Sequence, residues 1–174
     1  SGQEVKRYFT EPRVLAGLFE VIESLYGVRV REDRAPAWHA DVRYFDISSA
    51  SGEALGGFYL DAYARPNKRG GAWMSAYRWQ SRVDGETLPV IVNNNNFAKA
   101  PAGEPTLLSA DDVRTLFHEF GHGLHGLLSQ VTYERLSGTQ VLRDFVELPS
   151  QLFEHWAFEP AVLKRHALHH ATNE

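Results

Sequence analysis

The sequence contains His118-Glu119-Phe120-Gly121-His122, two histidines four positions apart with a glutamate directly after the first. On an α-helix, residues i and i+4 stack on one face. Two neutral imidazoles so placed can each give a nitrogen to one zinc ion at roughly 2.0–2.1 Å. Glu119 points off that pair, toward where an attacking water would sit. The residue types and their spacing describe a zinc hydrolase, with His118 and His122 as ligands and Glu119 as general base. Such a site needs a helix to carry the motif and a third ligand.

His125 is the nearest candidate for that ligand, but it lies seven positions past His118, a rise of about 10.5 Å along a helix. It cannot easily share one tetrahedral ion with both other histidines. The longer motif requires Gly at 125 and His at 128, where this chain has His125 and Leu128. His125 therefore lines the site, supports a ligand or is a structural histidine. A carboxylate from a second helix is the other solution. Glu147, 25 positions past His122, sits among Phe145, Val146, Leu148, Leu152, Phe153 and Trp156. A charge in so apolar a setting is costly unless paired or bound to a metal. The alternative for Glu147 is a solvated helix face shared with Asp144, Ser150 and Gln151. Asp144, one turn back, can accept from the second nitrogen of a ligating histidine.

The motif helix is well marked. Ser109 and Asp112 have the spacing of a capping box, and Asp111 and Asp112 place negative charge in the first turn. Val113, Leu116, Phe117, Phe120, Leu124, Leu127 and Leu128 form an apolar stripe at three- and four-residue steps. Gly121, Gly123 and Gly126 each cost up to about 1 kcal/mol against alanine in a helix interior. Their presence implies close packing against another backbone, or room for a substrate.

The rest of the chain reads as a frame for this helix. A helix is expected from Thr10, its cap, to Gly27, with Val14, Leu15, Leu18, Phe19, Ile22, Leu25 and Tyr26 inward. Val28–Val30 begins an extended run, and Val42–Ile47 and Leu55–Tyr63 pair as a hairpin. Leu88–Val92 is a short strand ending at Asn93-Asn94-Asn95-Asn96. Either that strand or Ala72–Tyr77 can pair with a substrate backbone by strand addition. The basic loop Arg65–Gly71 is expected to be solvated, the alternative being that Arg65, Lys68 or Arg69 meets a peptide carboxylate. A second helix runs from Arg143 to Phe158, kinked by Pro149 just past Glu147, and a third from Glu159 to His170. His39 reads as a structural loop residue, and His166, His169 and His170 as exposed.

Composition narrows the function classes. A 174-residue chain is one domain's worth, and a net charge of −4 with pI near 6.1 gives no electrostatic reason to expect nucleic acid or an anionic membrane as partner. There are no cysteines, which excludes disulfides and thiolate metal sites and is compatible with a cytoplasmic setting. No stretch reaches the roughly 18 apolar residues of a membrane span, and the oligomeric state is left open.

The pairing of His118-Glu119-Phe120-Gly121-His122-Gly123-Leu124-His125 with Asp144-Phe145-Val146-Glu147-Leu148-Pro149-Ser150-Gln151 resembles the thimet oligopeptidase family of zinc metallopeptidases. Trp38–Phe45, Gly57–Asp61 and Lys68–Met74 extend the resemblance upstream in the same order. It implies an α+β, zincin-like core in which a small mixed sheet packs on the motif helix and on a second helix carrying the Glu ligand. It also implies one zinc held by His118, His122 and Glu147, a water activated by Glu119, and short peptides as substrates. Members of that family are several times longer, with a helical region before this segment and a Tyr- and Gly-rich stretch after it. Residues 1–174 thus resemble part of a catalytic domain, and a zinc-binding piece without turnover is the alternative expectation.

Overall fold

A computed structural model of the chain describes residues 1–174. In chain order it comprises α1 (Gly2–Val5), a 3-10 turn (Lys6–Tyr8), α2 (Glu11–Tyr26), β1 (Val28–Asp33), β2 (Arg43–Ser49), β3 (Ala54–Tyr63), β4 (Trp73–Arg78), β5 (Val90–Phe97) and α3 (Ala110–Leu127). After 3-10 turn Glu134–Leu136 come α4 (Arg143–Val146), α5 (Leu148–Glu154), a 3-10 turn (His155–Phe158) and α6 (Pro160–His166). The architecture is the expected α+β mixture.

The five strands form one mixed sheet in the order β1-β2-β3-β5-β4. Only β3 and β5 are parallel; the other neighbours are antiparallel, and β2 and β3 make the expected hairpin. β5 is therefore internal and β4 is an edge. This separates the two candidates for substrate pairing, because only β4 offers a free row of backbone groups.

Both long helices cover the same face of the sheet. Strand alternation turns Phe45, Ile47, Phe58, Leu60 and Ile91 inward, where they meet Leu18 and Ile22 of α2 and Leu116, Phe117 and Phe120 of α3. Phe58 and Phe120 meet edge to face at 4.7 Å, and Phe19 bridges α2 to the sheet through Phe45 at 4.8 Å. Each such buried side chain contributes about 1.5–3 kcal/mol of apolar transfer. On the opposite face Trp38, Tyr44, Tyr59 and Tyr77 form an aromatic cover.

Several expected boundaries shift for physical reasons. Thr10 occupies the N-cap of α2, but its side chain makes no cap bond; the Glu11 N–H goes instead to the Thr106 carbonyl at 2.8 Å. Gly27 closes that helix in the left-handed region at φ 65°, as its position suggests. Leu25 and Tyr26, expected inside, are 43% and 49% exposed. β5 does not stop at the asparagines but runs through all four, with Asn93 and Asn95 fully buried. The helix expected over Arg143–Phe158 is broken into α4, α5 and a 3-10 turn, and α6 ends at His166, short of His170. No helix is long and apolar enough to cross a membrane.

Candidate metal centre

α3 starts at the capping box read from the sequence. Ser109 Oγ accepts from the Asp112 N–H at 3.0 Å, and Asp112 Oδ2 accepts from the Ser109 N–H at 2.9 Å. The apolar stripe then fixes the rotation of the helix, so that His118, His122 and His125 look away from the sheet core toward α4 and α5.

The approach of α5 to α3 depends on Gly121. A Cβ at that position would lie 2.6 Å from Ser150 Cα and 3.0 Å from the Pro149 carbonyl oxygen. Backbone meets backbone there, as the glycine-rich helix implied. Gly126 is tight for another reason, since a Cβ there would meet Ile91 Cδ1 of β5 at 2.7 Å.

The helix break falls on Glu147 itself. This residue is both the C-cap of α4 and the N-cap of α5, at φ −84° and ψ −11°. Pro149 lies in the first turn of α5, where its missing N–H costs no helical hydrogen bond, and not in a helix interior as expected. Ser150, fully buried, donates its hydroxyl to the Glu147 carbonyl oxygen and to Glu147 Oε2, both at 2.9 Å.

So held, Glu147 Oε2 lies 3.1 Å from His118 Nε2 and 3.2 Å from His122 Nε2. The three ligand atoms lie within 4.8 Å of one another. A tetrahedral zinc with bonds of 2.0–2.1 Å separates its ligand atoms by about 3.3 Å, so this donor set fits the ion. His125 is not one of the three. Its half-buried ring stands edge-on to Phe145 at 6.3 Å and lines a cavity of about 360 Å³ with Leu124, Pro149 and Phe153.

Electrostatics favour the protonation states a metal needs. Burial pushes His122 below the usual histidine range, against the upward pull of Glu147, keeping its imidazole neutral. Burial also raises Glu147, but the Ser150 hydroxyl and the two histidines outweigh it and hold the carboxylate below its usual range. Burial raises Glu119, with His118 opposing and Glu147 adding to the effect. Glu119 is 8% exposed and its Oε2 has no hydrogen-bond partner. A carboxylate raised in this way is a stronger base than a free one.

The structure gives His118 a different second partner from the one expected. Its Nδ1 meets Glu154 Oε1, from the last turn of α5, while Asp144 sits exposed on α4. Glu154 and Ser150 touch the candidate ligands His118 and Glu147, contacts that the sequence analysis did not anticipate. Glu154 lies seven positions past Glu147, two helical turns on, and that spacing was the available signal.

The other candidates resolve away from the centre. His39 is an exposed loop residue whose Nδ1 accepts from the Asp41 N–H at 3.1 Å. His166 is half-buried, with Nε2 2.5 Å from Glu20 Oε2, and His169 is half-buried against Tyr8; only His170 is exposed. The basic loop is not simply solvated. Arg65 grips Asp61 with two bonds of 2.6 and 2.8 Å, and Lys68 Nζ reaches Asp61 Oδ1 at 3.0 Å and the Tyr63 carbonyl at 2.8 Å. These cations are thus committed to a buried carboxylate of the chain itself, and Arg69 lies 5.2 Å over the Trp73 ring.

Comparison with known proteins identifies the family of the chain. The family model described as Peptidase family M3 matches residues 1–174. The chain is 48% identical to dipeptidyl carboxypeptidase of Escherichia coli over 96% of its length, and 44% identical to oligopeptidase A of the same organism over its whole length. It is 36% identical to the organellar oligopeptidase A of Arabidopsis thaliana over 99% of its length. It spans 25%, 26% and 23% of those relatives, about a quarter of each. With a match that runs from end to end, the chain belongs to Peptidase family M3.

Proposed function

We propose that this chain carries the metal centre of a zinc-dependent peptidase that cleaves peptide bonds in short oligopeptides. The convergence of His118 Nε2, His122 Nε2 and Glu147 Oε2 supports this reading most directly. A bound zinc ion supplies Lewis acidity, lowering the pKa of water and polarising a carbonyl.

The remaining work falls to the chain's own residues. The two imidazoles present Nε2 to the site, His118 being oriented from behind by Glu154. Ser150 fixes the Glu147 carboxylate. Glu119 takes a proton from the attacking water and gives it to the departing amine, so its proton balance closes over one cycle. Edge strand β4 has a free row of backbone donors and acceptors on which an extended peptide can pair. The names dipeptidyl carboxypeptidase and oligopeptidase A support peptides as the substrate class.

A second reading is that the 174-residue chain binds zinc without turning over peptides. It is favoured by the quarter-length match to the relatives. Elemental analysis after dialysis against a weak chelator, on wild type and Glu147→Ala, tests the shared part. One zinc per chain in the first and none in the second is expected; retained zinc in Glu147→Ala removes the proposed ligand set. Peptide hydrolysis abolished by Glu119→Gln supports the enzyme, whereas zinc without hydrolysis leaves the second reading.

A further inference from the structure

His125 is the residue of the motif helix that the metal centre leaves unused. It stands three positions past His122, and residues so spaced on a helix are surface neighbours. The two rings are close enough that a charge on His125 would depress the pKa of His122. Burial alone pushes His125 below the usual histidine range, so its imidazole is neutral. Nδ1 is buried without a partner, whereas Nε2 retains accessible surface. An orphaned buried N–H is rare in folded chains, which places the ring hydrogen on Nε2 as an outward donor.

Beside this ring lies the cavity of about 360 Å³. Leu124 and Leu128 of α3 and Pro149 and Phe153 of α5 give it apolar walls. Pro149 is two residues past Glu147, so the cavity adjoins the ligand-bearing stretches of both helices. Its remaining wall is the segment after α3, which is pinned at two points. Gln80, buried, donates Nε2–H to the Val131 carbonyl and accepts from the Val131 N–H, both at 2.8 Å. Gly138 packs against Trp79, where a Cβ would come within 2.6 Å of the ring, and donates its N–H to Ser129 Oγ at 2.9 Å. Leu136 and Val141 of the same segment line the cavity, yet they are 62% and 38% exposed. An apolar rim held open to water, next to a donor, marks a binding surface.

Ligand pockets are mostly apolar and pre-formed, carry a few placed polar groups, and span about 300–1,000 Å³. This cavity sits at the small end, suited to a side chain rather than to a whole molecule. We propose that it is a subsite for one large apolar side chain of the peptide substrate, beside the scissile bond, and that His125 Nε2–H donates to a backbone carbonyl of that peptide. The subsite rests on the zinc-peptidase reading above, and what argues for its occupant is its continuity with the candidate ligands. A charged side chain there would lose its water among leucine, proline and phenylalanine with nothing to pair with it.

The test uses the metal-free 174-residue chain, so that the probes stay intact, and two peptides, Ala-Ala-Phe-Ala-Ala and penta-alanine. Titration followed by NMR is expected to show the phenylalanine peptide binding about tenfold tighter or more, with shifts centred on His125, Leu128 and Phe153. Val141→Trp fills the cavity from its exposed rim and is expected to bring the two affinities within about twofold of each other. If that variant fails to fold, Leu136→Trp is held to the same readout. His125→Leu is expected to weaken both peptides about fivefold, and His125→Gln, which keeps an N–H, to restore them. Equal affinities for the two peptides, shifts remote from the cavity, a preference that survives its filling, or unchanged binding in His125→Leu overturns the inference. Zinc content of the wild type is measured separately. Zinc that is lost in Glu147→Ala, beside equal peptide affinities, sinks this inference alone. A wild type without zinc sinks both.

Discussion

Ser150 Oγ lies 2.9 Å from both the carbonyl oxygen and Oε2 of Glu147. One hydroxyl hydrogen is thus shared between the backbone that breaks the helix and the carboxylate that faces the histidines. Ser150 is fully buried, so no water replaces it cheaply. Ser150→Ala frees the carboxylate to rotate and is expected to weaken zinc binding about tenfold, with fold stability lowered by about 1 kcal/mol. Chelator competition and denaturant melts measure the two effects. A zinc affinity equal to wild type would show that the histidines alone place Glu147.

Gly121 carries the contact between α3 and α5. Because the nearest neighbours of an added Cβ are Ser150 Cα and the Pro149 carbonyl oxygen, relief requires moving a helix rather than a side chain. Gly121→Ala is expected to destabilise the chain by about 1–3 kcal/mol and to pull Glu147 away from His118 and His122. Loss of zinc affinity beyond the loss of stability is the signature, read from metal titration at a temperature where the variant is folded.

Asp61 links the outer face of the sheet to the basic loop. Burial alone would raise its pKa, but Arg65, Trp38 and Lys68 outweigh that and hold it at about 2. An aspartate in an unfolded chain titrates near 3.9. Because the folded pKa is the lower one, this carboxylate stabilises the fold above about pH 4, and the contribution fades as pH falls through about 2. Thermal midpoints recorded between pH 5 and pH 2 are expected to fall more steeply in wild type than in Asp61→Asn. Asp61→Asn also leaves the Lys68 ammonium buried without its counter-charge, an expected cost of about 3 kcal/mol near neutral pH. Parallel pH profiles for the two proteins would remove Asp61 as the source.

What the sequence displays depends on whether the relevant partner is near in the chain. The motif helix was legible to its capping box, because Ser109, Asp112 and the apolar stripe act within one helix. The strand-bearing middle was legible in outline. Its alternation betrays inward and outward faces, yet the extent of β5 was not legible, since asparagines ordinarily avoid buried strands. Glu147 stood out as a charge in apolar company. Its supporting contacts did not, because Glu154 reaches His118 across 36 positions and Arg65 and Lys68 look like any solvated basic loop until Asp61 is placed beneath them.

Glu154 offers the sharpest test of how the first histidine is oriented. It faces His118 Nδ1 while Nε2 of the same ring faces Glu147, so a hydrogen on Nδ1 bonded to Glu154 leaves the Nε2 lone pair toward the site. A carboxylate behind a ligating histidine sets the tautomer and raises the basicity of the other nitrogen. Glu154→Gln keeps an oxygen acceptor but removes the charge, and Glu154→Leu removes both. Zinc affinity is therefore expected to fall about tenfold in the first and nearer a hundredfold in the second. Asp144→Ala, which changes an exposed residue outside this contact, is expected to leave affinity within about twofold of wild type. The reverse order, with Asp144→Ala the more damaging variant, would return the orienting role to α4 and place His118 differently in the zinc-bound chain.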